Sequence, residues 1–155
     1  MHKRGNELIK TLLLLFMTFP FYQCGEHNTD YYGIPETYVY YTINLNLPQY
    51  SDLNLFGGWT YIDEGFKGLI IYHKVDDTYI ALERCCTYEP LEECSQVCVD
   101  ESGIFLRCGH YDGEDFISCC GSNFDMEGNV IKGPALYPLK QYRVSRSAEM
   151  LTISN

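Results

Sequence analysis

Positive charge is scarce in this chain. Of its 155 residues, 11 are Lys or Arg against 21 Asp or Glu, for a net charge of −10. No basic stripe occurs after the first ten residues, which excludes nucleic-acid binding, since phosphate contacts need clustered Lys and Arg. Helical periodicity is also missing: no segment sustains an apolar repeat of 3.6 residues, and no internal repeat is visible. The longest apolar run, Thr11 to Phe21, is too short to span a bilayer and is interrupted by Pro20. The chain has no CxxC pair, so the cysteines do not form a zinc-finger pattern. It also lacks GxSxG, HExxH and phosphate-cradling loops, which leaves no hydrolase signature.

What is present favours strands. There are 14 Tyr, 8 Phe, 1 Trp and 13 Gly, a composition of aromatic strand formers and turns. The length suits one domain. Thr37 to Leu47 alternates, with Val39, Tyr41, Ile43, Leu45 and Leu47 on an apolar face, and Pro48 ends the run. Asp52 to Gly68 reads as short strand and loop. Gly68 to Lys74 and Thr78 to Arg84 read as a hairpin joined by Val75-Asp76-Asp77. Shorter strands are expected at Gln96–Val99, Ile104–Arg107, Val130–Ile131 and Leu139–Val144. His73 reads as a surface strand residue, not a ligand. The acidic turn Asp112-Gly113-Glu114-Asp115, with Glu101, lacks EF-hand spacing and reads as solvated. The expected fold class is all-β.

The N-terminus carries a targeting pattern. Lys3, Arg4 and Lys10 precede the apolar run, which stops at Cys24 and the polar Gly25-Glu26-His27-Asn28. This arrangement resembles a bacterial lipoprotein signal, in which the cysteine thiol is lipidated and becomes the new N-terminus. The expected organisation is a signal peptide over 1–23, a polar tether over 24–35, and a folded domain over 36–155. Cleavage removes three cations and one anion, taking the charge from −10 to −12. The resemblance implies a cell-envelope protein facing the periplasm or cell surface, held to the membrane through lipidated Cys24. Export makes disulfides available. Seven cysteines remain beyond Cys24; an odd number leaves at least one thiol free, ligating or intermolecular.

The densest motif lies near the C-terminus. Cys119-Cys120 leads into Gly121-Ser122-Asn123-Phe124-Asp125, then Gly128, Gly133-Pro134-Ala135 and Pro138-Leu139. With the preceding hairpin and cysteines, the stretch from Leu69 to Val144 resembles a Rieske iron–sulfur domain. The resemblance implies a Rieske-like antiparallel β-sandwich with two Cys-containing loops. In that family the loops carry Cys-x-His and Cys-x-x-His, placing two thiolates on one iron and two imidazoles on the other. Here the first loop reads Cys86-Thr87-Tyr88, with tyrosine at the histidine position. A phenol with a pKa near 10 is a poor replacement. Counting back from Gly121 puts Cys120 at the second histidine position and Ile117 at the cysteine position. Counting forward from the strand Ile104–Arg107 puts Cys108 at the cysteine position instead. Both counts agree if residues 109–118 are an insertion, which contains His110.

The standard ligand set is therefore not expected to bind its cofactor. The implied function is an envelope lipoprotein with a degenerate cluster site, a non-catalytic binding or accessory module with a possible protein partner. Disulfides would take over the cross-linking role. Some Rieske proteins bridge their two loops, and Cys119 matches the second-loop position, with Cys94 or Cys86 as its mate. The alternative is a [2Fe–2S] electron carrier, possible by family resemblance, in which Cys86, Cys108 and Cys120 ligate with Cys119, Cys85 or His110 as the fourth. A third reading is a thiolate site for zinc or copper, drawn from Cys86, Cys108, Cys119 and Cys120. The adjacent pairs Cys85-Cys86 and Cys119-Cys120 are strained partners for each other and read as a minor redox option.

Overall fold

The computed structural model describes residues 31–155. The segment read as a signal peptide, Cys24 and most of the stretch read as a tether lie outside the described residues. Ten strands follow one another: β1 (Tyr40–Asn44), β2 (Trp59–Ile62), β3 (Leu69–His73), β4 (Tyr79–Glu83), β5 (Val97–Val99), β6 (Phe105–Asp112), β7 (Asp115–Asp125), β8 (Val130–Lys132), β9 (Gln141–Ser147) and β10 (Met150–Ser154). They form a six-stranded sheet in the order β1-β10-β9-β4-β3-β2 and a four-stranded sheet in the order β5-β6-β7-β8. Every strand pairing is antiparallel. The fold is all-β. Among the described residues no helix is long and apolar enough to cross a membrane.

The expected hairpin lies at the centre because it is apolar on both faces. Leu69 and Ile71 of β3 enter one core with Val39, Ile43, Leu53, Leu151 and Ile153. Ile70 and, from β4, Leu82 point the other way, into a second core with Val97, Leu106, Phe124, Ala135 and Leu139. Period-two alternation explains the split: one strand supplies two cores only if successive residues are both apolar. The second core also takes in Cys86 and Cys108, so the candidate site is built directly onto the hairpin.

Several expectations change. In the first strand Val39, Ile43 and Leu45 are buried, but Leu47 is exposed, because Pro48 opens a 3-10 turn over Pro48–Asn54 that turns the chain away. His73 is buried, stacked on the Tyr79 ring and hydrogen-bonded through Nε2 to Asp77 Oδ1 at 3.1 Å. Residues 31–35 at the end of the expected tether pack on the body: Ile34 is fully buried and Tyr32 stacks on Tyr137. β10 was not expected; its five residues follow a turn without glycine, at Ala148 with φ of 52°. Residues 109–118, read as an insertion, extend β6 and β7 as one hairpin pairing Gly109 with Ser118 through to Asp112 with Asp115. The acidic turn is the tip of that hairpin, where Gly113 takes a positive φ of 63°.

Candidate metal centre

The second core ends in sulfur. Cys86 follows β4, where its backbone N–H donates to the Ser95 carbonyl at 2.8 Å. Cys108 sits on β6 opposite Val97. Cys120 lies on β7, not in an open loop, and the ladder there is irregular. Arg107 pairs with Asn123 and Gly109 with Ser118, so the residues from Cys119 to Ser122 all stand opposite Cys108. A bulge of this kind re-aims side chains. It turns Cys120 back toward the core, where Gly121 takes a positive φ of 79°.

The structure brings Cys86, Cys108 and Cys120 together. Their three Sγ atoms lie within 4.8 Å of one another, with Cys86 and Cys120 at 3.6 Å. Cys86 and Cys108 are buried and Cys120 is half-buried. The fourth sequence candidate is used otherwise: Cys119 forms a disulfide with Cys94, 25 residues earlier in the chain. This bridge ties the first cysteine loop to the β7 bulge, and it selects Cys94 over Cys86 as the mate. Cys85 points away, with Sγ 3.4 Å from the Pro90 carbonyl. His110 is exposed on the hairpin opposite Ile117, and Tyr88 is exposed as well. Neither side chain joins the cluster.

The thiols differ in character. Cys108 is held well above the usual thiol range, first because it shares a hydrogen bond with Cys86 and second because it is buried; a hydrogen bond with the Cys120 backbone works in the opposite direction. Burial pushes Cys85 up to about 12 and Cys98 to about 11. Both therefore remain neutral buried thiols near neutral pH.

Sequence reasoning missed two supporting residues. Ser122 is fully buried; its Oγ accepts from the Ala135 N–H at 2.9 Å and from the Cys120 thiol at 3.1 Å. Thr87 donates to the Tyr137 carbonyl at 2.6 Å. Together they tie both cysteine segments to the Gly133–Leu139 stretch. Ser122 stands inside the Gly-Ser-x-Phe motif, and that was its only signal.

The donor set does not fit the standard two-iron cluster. That centre needs four ligands in two pairs, two of them imidazoles; here three thiols face one point, and Cys119 is spent in the disulfide. No protein-family model matches this chain, and no curated protein matches it in sequence.

Proposed function

We propose that this chain is a cell-envelope lipoprotein of Rieske-like architecture that serves as a binding or accessory module and not as an enzyme. One observation carries the reading. Three thiols, Cys86, Cys108 and Cys120, converge at the end of the core, while the Cys94–Cys119 disulfide braces the same two segments. A cross-linked thiol cluster on a β frame suits an exported protein that has exchanged its cluster for staples. The Gly121–Leu139 motif supports the architecture, because Ser122, Phe124, Ala135 and Leu139 are all buried, the last three in the same core as Cys86 and Cys108.

A binding role is supported by the surface of the same segments. Leu91 in the first cysteine loop is 72% exposed, and Leu136 in the following stretch is 82% exposed. These two leucines are where a contact with another protein would be sought first. The anchor follows from Cys24 behind an apolar run, and the net charge of −10 disfavours nucleic acid.

Two measurements test the reading. Protein purified without oxygen from cells that assemble iron–sulfur clusters should be colourless and give no EPR signal on reduction; visible iron–sulfur bands would overturn the reading. In the native host, Cys24→Ser should move the protein from the membrane to the soluble fraction. Unchanged membrane association would remove the lipid anchor from the account.

A further inference from the structure

We infer that Cys86, Cys108 and Cys120 form a three-coordinate site for one monovalent copper ion. The inference rests on the reading above that the iron–sulfur cluster is gone from this pocket. Three observations lead to it.

The first is the donor set. All three candidate ligand atoms are thiol sulfurs, and soft sulfur donors select Cu(I), zinc or iron–sulfur clusters. The second is the spacing. A single ion at thiolate bond lengths of ~2.3 Å places its sulfur ligands ~4 Å apart. The Cys86–Cys120 separation is 3.6 Å, and every pair is within 4.8 Å. Three atoms this close surround one point and do not span two metals.

The third is the number of donors, which favours copper over zinc. Structural zinc takes four protein ligands and three-ligand zinc needs a water in the fourth position, and among the described residues no fourth Cys, His, Asp or Glu joins the three. Ser122 Oγ lies 3.1 Å from Cys120 Sγ, and it already accepts from the Ala135 N–H. Cu(I) has a filled d shell and is satisfied by three thiolates. Binding releases the three thiol protons, forms three Cu–S bonds and changes no oxidation state when copper arrives as Cu(I). Half-buried Cys120 gives the ion a way in.

The test is anaerobic titration of the full chain, its disulfide intact, with Cu(I) supplied as its acetonitrile complex against a chromophoric Cu(I) chelator. One equivalent should bind, and X-ray absorption should show three sulfur neighbours. Cys86→Ser and Cys108→Ser should each weaken binding by more than the ~10–100-fold that losing a supporting outer-shell group costs. Cys120→Ser should do the same at a half-buried position where folding is least at risk. Cys98→Ser, a buried thiol outside the cluster, should change nothing. Loss of the ion to the chelator at every ratio would overturn the inference. So would equal binding by the Cys86/Cys108/Cys120 triple serine variant, or one zinc that Cu(I) does not displace. Each of these leaves the proposed function standing. Iron and sulfide in the purified protein would sink both.

Discussion

Glu83 is fully buried at the end of β4, and three donors converge on its carboxylate. The backbone N–H groups of Phe66 and Lys67 donate at 2.9 and 2.8 Å, and the Tyr142 hydroxyl donates at 2.8 Å. The loop reaches the carboxylate because Gly65 takes a positive φ of 81° and leaves the space a Cβ would fill, 2.5 Å from Glu83 Oε2. Burial first, and Glu83 second, hold the Tyr142 phenol well above its ordinary range. A buried carboxylate with three partners is costly to break, because each orphaned donor forfeits about 1–3 kcal/mol. Glu83→Ala should therefore destabilise the fold by about 3 kcal/mol or more in urea unfolding, whereas Glu149→Ala at the exposed β9–β10 turn should be near neutral. None of this was legible in the sequence. Glu83 occupies an ordinary strand position, and its partners lie 16, 17 and 59 residues away.

At the scale of elements, β6 and β7 decide the geometry of the thiols. Gly109 has a φ of 145°, and a Cβ there would stand 2.2 Å from the Ile117 carbonyl oxygen and 2.7 Å from Phe116 Cζ. Backbone cannot yield cheaply, so Gly109→Ala should cost about 2 kcal/mol or more. Because Gly109 adjoins Cys108 at the irregularity, the same variant should make Cys108 react faster with a thiol reagent under native conditions. Unchanged reactivity would detach the bulge from the thiol cluster. The disulfide acts on the neighbouring segment. Closing a loop of 25 residues restricts the unfolded chain by about 3 kcal/mol. A Cys94→Ala/Cys119→Ala variant should lose that amount, and reductant should bring the wild type down to the same midpoint.

The central hairpin was readable because Leu69, Ile70 and Ile71 form an apolar run, ending in two β-branched residues, next to a short turn. Residues 109–118 were not. Their alternation is masked by a glycine at the bulge and acidic residues at the tip, so a paired strand extension looks like an inserted loop. At the site, the resemblance singled out Cys86, Cys108 and Cys120 by motif spacing, and the fold places their sulfur atoms within 4.8 Å of one another. The resemblance left Cys119 open between a disulfide partner and a fourth ligand, and its mate between Cys94 and Cys86, because vicinal cysteines look alike until the bulge sends Cys120 inward and Cys119 toward Cys94.

The whole molecule is two cores sharing one hairpin, with the thiols at the end of only one of them. Val39, Leu53 and Ile153 belong to the first core, whose cluster contains no cysteine, so that half of the frame does not depend on what the thiols hold. That separation lets the β frame stand whatever the thiols hold. It also explains how Tyr88 and His110 can lie exposed without loss of the fold. The most direct test of this separation is native mass spectrometry of the mature chain purified without oxygen from cells that build iron–sulfur clusters. Beyond the lipid proposed on Cys24, the account predicts a mass lowered by two hydrogens for the Cys94–Cys119 bridge, with no increment from a cluster and at most one thiol-bound metal. A species heavier by two irons and two sulfides would contradict it.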